Sequence, residues 1–419
     1  MIVLHFLKGK GLDMTDKLTF RKLSVETFVA AAAPKTMVKG QSYYTATDGL
    51  RLMSTHIRQS KADVADTTYV RYSEDNGRTW SQPEERLTAW KLPAGTLRMG
   101  TESIYPDPGS DRAIVFWRQG ILPTDHPLEY LKQLMPYHAV AVAGGRRRIY
   151  SGPIICCGAE FDAEHPLPGV TLGKASGTFG ERGSRPLTLA DGTVVVPMHA
   201  AHLGADGERY NPGGGYTYTD CLVLLGRWQP DGRLQWRASE RIVADPKKTT
   251  RGVVEPTIAR LADDSLLMIM RGSNDANPDL PGYKWQSRST DGGMTWSQPE
   301  PWTDTRGESF FSPSACSQLV PWSDGRLFWI GNICHQNPRG NDPRYPLVAA
   351  RVDVASGLLV RESVTSIDDL QPEDDGYIGL SNFYAREDRE SGELVLHLTR
   401  SCPGKRWEAN ALLYRIAVN

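Results

Sequence analysis

Ser73-Glu74-Asp75-Asn76-Gly77-Arg78-Thr79-Trp80 and Ser289-Thr290-Asp291-Gly292-Gly293-Met294-Thr295-Trp296 decide the fold. Each is followed by Ser-Gln-Pro, and both fit S-x-D-x-G-x-T-W. The pattern reads as a hairpin turn. The Asp accepts backbone N–H groups, the Gly adopts a conformation other residues resist, and the Trp plugs the hairpin base. Weaker echoes stand at Asp231-Gly232…Trp236 and Asp353…Gly357.

Working outward, each octapeptide follows an apolar strand, and similar strands recur at Thr68–Tyr72, Cys221–Trp228, Trp285–Ser289, Leu347–Val352 and Ala411–Ile416. Before them come short apolar runs ending or beginning at turns: Asp48-Gly49, Ser110-Asp111, Asp191-Gly192, Asp264-Ser265, Asp324-Gly325 and Ser391-Gly392. Thr193–Pro197, Ser265–Met270, Arg326–Ile330 and Glu393–Leu398 read as buried strands. A recurrence at roughly 60–80 residues suits a four-stranded blade with loops. Six units fit, so the expectation is an all-β, six-bladed β-propeller of four-stranded antiparallel blades. Closing the ring removes the long free edges on which sheets aggregate. A strand around Lys17–Leu23 is placed to complete the last blade. Residues 17–419 are read as one propeller domain and 1–16 as a disordered extension. One helix is expected near Leu128–Met135.

Composition agrees with a globular protein: 419 residues, 40% hydrophobic and 23% charged, with a formal net charge of −1. That balance gives no basic footprint for nucleic acid. The six cysteines form no CxxC pair, so neither a zinc site nor a disulfide framework is expected, and they read as buried free thiols. The start lacks a signal-peptide pattern, and no stretch approaches the ~20 apolar residues of a membrane span. The expected location is cytoplasmic, with no membrane partner.

The octapeptides resemble the Asp-box, or BNR, repeat of the sialidase family. The resemblance implies that the boxes are structural and lie away from the active site, so Asp75 and Asp291 are not expected to be catalytic. It also implies a particular site. Three arginines grip a substrate carboxylate, a Tyr paired with a Glu is the nucleophile, and a loop Asp is the acid/base. The residue types follow from the chemistry. A neutral Tyr keeps a second anion away from the carboxylated anomeric carbon. Arginine recognises carboxylate bidentately with a permanent charge.

Val254-Glu255-Pro256-Thr257, followed by Met270-Arg271-Gly272, is similar to the family's Glu-Pro…Arg segment. The likeness makes Glu255 the nucleophile's partner and Arg271 a carboxylate clamp. Arg344 falls where another clamp belongs, with Arg339 as competitor. Tyr377 is the candidate nucleophile, with Tyr384 second, although Ile378 follows where the family has Ser. Asp63, rather than Asp66, fits the acid/base. The family's first clamp, in Arg-Ile-Pro, has no counterpart here. Val38-Lys39-Gly40-Gln41-Ser42 offers Lys39, which supplies charge without a bidentate fork.

Outside that resemblance, His199 and His202 follow a strand that ends near the expected centre. Either one, with Tyr216 or Tyr218, has the residue types of an acid–base pair acting on a uronate. The Gly-rich loop 176–185 lacks the Lys-Ser/Thr ending of a phosphate-binding loop. The expected function is a sialidase-like, retaining exo-glycoside hydrolase that removes a terminal acidic sugar. Carbohydrate is the partner, and neither cofactor nor metal is required. A polysaccharide lyase or rhamnosidase-type enzyme on the same scaffold stays open, as does a non-catalytic glycan-binding propeller.

Overall fold

The computed structural model describes residues 19–60, 65–126, 135–142, 147–156, 177–179, 184–206, 208–402 and 407–419. Six antiparallel sheets follow one another along the chain as the blades of a six-bladed β-propeller. The second strand of each blade carries its burial. Leu52–Gln59, Arg112–Leu122, Val194–Ala201, Leu266–Arg271, Leu327–Asn332 and Leu394–Leu398 are almost wholly buried, because each is covered by blades on both faces. All six turns read from the sequence, Asp48-Gly49 to Ser391-Gly392, lie between the first and second strands of a blade.

The apolar layers lie between blades. One joins Phe116 and Ile114 of blade 2 to Val196 and Leu222 of blade 3. Another joins Cys221 and Val223 of blade 3 to Met268 and Trp285 of blade 4. Leu267 and Ile269 of blade 4 meet Trp329 and Ala350 of blade 5, and Phe328 and Ala349 of blade 5 meet Leu396 and Tyr414 of blade 6.

The ring closes by mixing the chain's two ends. Phe20–Val29 pairs antiparallel with Ala411–Val418 and forms the outer strand of blade 6. This is the closing strand expected near Lys17–Leu23, set several residues further on. At the seam the Arg71 guanidinium lies 4.6 Å from the Phe28 ring centre and 4.7 Å from that of Trp80. Cation–π contact thereby ties the closing strand to the first octapeptide hairpin.

Within each octapeptide the Asp accepts the backbone amide expected of it and two hydroxyls besides. Asp75 accepts from Ser73 Oγ (2.8 Å), Thr79 N (2.9 Å) and Thr79 Oγ1 (2.6 Å). Asp291 repeats this with Ser289 and Thr295. Gly77 and Gly293 have φ of +87° and +94°, a region closed to most side chains. The hairpins at Asp231-Gly232 and Asp353–Gly357 occupy the same position, between third and fourth strands. The helix expected at 128–134 and the extension 1–16 lie outside the described residues, and Met135 opens a strand.

Among the described residues four histidines are packed away from water: His56, His138, His199 and His397. Burial lowers the first three to about 4 and holds His397 below the usual imidazole range. Protons therefore bind the unfolded chain first, near pH 6.5, so this stabilisation is complete above 6.5 and fades as pH falls toward 4. Each of His56, His138 and His199 removes on the order of 3 kcal/mol once protonation is forced, and His397 acts in the same direction. The urea midpoint is expected to fall steadily between pH 6.5 and 4.5, and a flat midpoint there would contradict it.

Candidate active site

Strand register sorts the two faces of the ring. In blade 4, Val254 pairs with Arg271 and Arg271 with Lys284 at one end, while Arg260 pairs with Leu266 and Leu266 with Ser289 at the other. The octapeptide hairpin begins at Ser289, so Glu255, Arg271 and Lys284 lie on the opposite face. Blade 1 repeats the arrangement, with Lys39 near the start of Met37–Tyr44 and Asp75 at the far end.

At Glu255 the backbone departs from sheet geometry. Its φ is +51°, and the pairing register slips between Val254 and Thr257. A left-handed non-glycine residue costs roughly 1–2 kcal/mol, and a following proline adds its own restriction. The bulge re-aims the carboxylate. Its Oε2 accepts from Arg271 Nη1 at 2.7 Å, with side chains 12% and 9% exposed. The same guanidinium donates from Nε to Ser314 Oγ (2.8 Å) and from Nη2 to Asn341 Oδ1 (3.0 Å). Burial alone would raise the Glu255 carboxyl, but Arg271 outweighs it and holds the group well below the usual carboxylate range. Glu255 is therefore an anion at neutral pH.

His199 lies behind this pair. The Glu255 amide donates to its Nδ1 at 3.4 Å, which leaves the ring proton on Nε2. Arg118, Arg271 and Arg251 all bear electrostatically on this imidazole, beside Glu255. Burial lowers Arg251 to about 10, still charged at neutral pH. Its guanidinium is fixed by Thr217 Oγ1 (2.8 Å) and faces the exposed Tyr216 ring at 5.4 Å.

Arg344 adjoins Arg271 through Asn341. Its Nε donates to the Asn341 carbonyl (3.3 Å) and its Nη1 to Ser381 Oγ (3.0 Å). Next in the chain, Asp342 accepts the Tyr377 hydroxyl at 2.7 Å. Burial and the Asp342 carboxylate both push that phenol up, so it stays protonated. Tyr377 is thus bonded to Asp342 rather than to Glu255. Tyr384 is fully buried against Tyr43, with ring centres 4.5 Å apart.

A cavity of about 130 Å³ opens beside this group, lined among others by Lys39, Tyr43, Trp117, Arg118, Ser184 and Asn382. Ser184 joins it to the Glu255 segment by donating to the Pro256 carbonyl. A hairpin in blade 2, Ala89–Leu92 and Gly95–Met99, forms one wall, pinned where Arg98 pairs with Asp125 at 2.8 Å.

The structure therefore brings Glu255, Arg271, His199 and Arg344 together, places Lys39 on the adjoining cavity and sets Tyr377 on Asp342. Asp63 lies outside the described residues. Asp66 caps the Ser60 amide (2.5 Å), and Arg339 is an exposed residue whose backbone pairs with Asp342. His202 is engaged with buried Asp220, which Arg241 also binds, and Tyr218 donates to the Ala244 carbonyl. Five cysteines are free and buried, and Cys157 lies outside the described residues. Sequence reasoning missed Arg118, Arg251, Ser314, Asn341 and Asp342. Only Arg251, four residues before Glu255, carried a signal, and it lay within a Lys/Thr-rich stretch that reads as solvated.

A family model for a BNR repeat-like domain matches residues 158–365. No protein of curated function matches the sequence. Among solved structures, a protein of unknown function from Dyadobacter fermentans is 15% identical, with 96% of this chain and 99% of that one covered and a TM-score of 0.60. NanB sialidase from Streptococcus pneumoniae, as a point mutant, is 13% identical over 95% and 71% of the two chains, with a TM-score of 0.58. An alpha-L-arabinanase from Penicillium chrysogenum, complexed with arabinobiose, is 14% identical over 95% and 98%, at 0.55. Such identities speak for the fold. With the family match over residues 158–365 and the two octapeptide hairpins, they mark a six-bladed propeller that carries a BNR repeat-like domain and shares its fold with a sialidase and an arabinanase. No helix among the described residues is long and apolar enough to cross a membrane.

Proposed function

We propose that the protein is an exo-acting glycoside hydrolase that releases a terminal, carboxylate-bearing sugar. The observation that carries this is charge. Three guanidiniums, Arg118, Arg251 and Arg271, bear on one neutral imidazole, His199, and two of them, Arg271 and Arg251, also on one anionic carboxylate, Glu255. A cluster so constituted favours an anionic ligand, and arginine suits a planar carboxylate. The likeness of fold to a sialidase and to an arabinanase supports a glycosidase in general.

In this reading Arg271 and Arg344 bind the carboxylate, with Lys39 on the cavity wall. Tyr377 attacks the anomeric carbon as its proton passes to Asp342, the carboxylate it already bonds. Asp63 protonates the leaving oxygen. Glu255, held ionised, stabilises the positive charge that develops on the sugar ring. His199 is a poor general base, because its Nδ1 is taken by the Glu255 amide. That observation counts against a lyase built on this histidine.

The test is turnover of fluorogenic α-sialosides and uronides by the wild type and by Tyr377→Phe. The wild type is expected to hydrolyse one of them, and the variant to lose at least about a hundredfold in kcat with KM little changed. Undiminished turnover in Tyr377→Phe would remove the tyrosine from its role. Appearance of an unsaturated uronate chromophore would replace hydrolysis with elimination.

A further inference from the structure

Lys284 is fully buried, yet it has no ion-pair partner among the described residues. It begins the third strand of blade 4, directly across from Arg271. Its Nζ donates to the carbonyls of Pro313 (3.1 Å) and Ala315 (2.5 Å), one on each side of Ser314. Ser314 itself sits in a tight three-residue turn, closed by Ala315 N on the Pro313 carbonyl at 2.7 Å. The Ser314 amide is tied to the Gly340 carbonyl at 2.8 Å. The Ser314 hydroxyl meets the Arg271 Nε. Lysine, loop, serine and guanidinium thus form one continuous chain of bonds that ends at Glu255.

A buried cation without a counter-ion is unfavourable, and methionine would fill the same space without that penalty. What lysine adds is the pair of bonds that bracket Ser314. Burial and the Arg271 charge lower Lys284 to about 7, and either protonation state keeps enough N–H groups for both carbonyls. We infer that Lys284 is a positioning residue for the carboxylate clamp: it fixes the 313–315 turn so that Ser314 sets the plane of the Arg271 guanidinium. The inference rests on the reading of Arg271 as a substrate clamp. It extends that reading to a specificity device spanning blade 4 and the turn that leads into blade 5, which responds to the substrate's carboxylate rather than to its leaving group.

The experiment compares wild type, Lys284→Met, Ser314→Ala and the double variant. Each single variant is expected to raise KM for a carboxylated fluorogenic sugar about tenfold, with kcat changed less than about threefold. The double variant should add little to either, since both act through one bond. Independent effects that multiply, or an unchanged KM in Ser314→Ala, would overturn the inference even if Lys284→Met fails to fold.

A second readout needs no activity. The Arg271 Nε–H signal, assigned with Arg271→Lys, should be protected from solvent exchange in the wild type and exposed in Lys284→Met. Protection that persists in a folded Lys284→Met overturns the assignment. If the wild type turns over no carboxylated sugar while the Nε–H result holds, the functional reading fails and the positioning role stands.

Discussion

Glu255→Gln is expected to lower kcat for a carboxylated sugar by about a thousandfold while leaving the free sugar acid bound as tightly as before, or more tightly. Glutamine keeps the size and the acceptor oxygen facing Arg271, so the fold loses the charge alone. Catalysis loses the anion that opposes positive charge at the sugar ring, a contribution of about 4 kcal/mol if it matches other preorganised electrostatic groups. Binding moves the other way. Arg271, relieved of its carboxylate partner, has its full charge to offer an incoming one. Isothermal titration with free sialic or uronic acids, run beside steady-state kinetics, separates the two effects. A parallel loss of affinity and kcat would mean that Glu255 holds the site together without acting in it.

Arg271→Ala has the opposite signature on binding. The affinity for the acid should fall at least about a hundredfold, the loss of a bidentate charge-assisted contact. The variant should also be less stable by about 3–5 kcal/mol, because it strands Glu255 with its desolvation uncompensated. Its pH dependence follows from the same pair. In the native protein Arg271 depresses the Glu255 carboxyl, so the pair's stabilisation is complete above the unfolded value of about 4.3 and is lost only as pH falls below it. Without Arg271 burial prevails and the carboxyl rises above that value. The group then destabilises the fold at neutral pH, and lowering the pH toward 5 should restore part of the loss. Chemical denaturation of the variant beside the wild type at pH 5 and 7 tests the sign, because the buried histidines weaken both proteins alike at pH 5. A deficit relative to wild type that is equal at both values would contradict the account of Glu255.

The fold was legible because its signals are local. A turn such as Asp324-Gly325 needs its residue types wherever the chain goes, and Ser289-to-Trp296 contains almost all of its own hydrogen bonds. Glu255 and Arg271 were legible because a proline and a strand end flank them. The remainder of the site was not, because its residues acquire meaning only through partners far along the chain. Ser314 looks like an ordinary loop serine until Arg271 reaches it from 43 residues away. Lys284 reads as a polar strand start, yet it is among the most buried side chains in the molecule. Tyr377 was picked out as a tyrosine of the right type, but nothing in its surroundings named Asp342 as its partner.

The seam at blade 6 also sets a schedule for biosynthesis. Phe20–Val29 is made before blades 1 to 5, and its partner Ala411–Val418 after them. At 5–20 residues per second, roughly 20–80 s separate them. Over that interval the nascent chain carries an unmatched strand with Leu23 and Val25 on its surface, and blades 1 to 5 must hold their stacking without a closed circle. The yield of native protein is therefore expected to depend on translation speed and chaperone occupancy during that window.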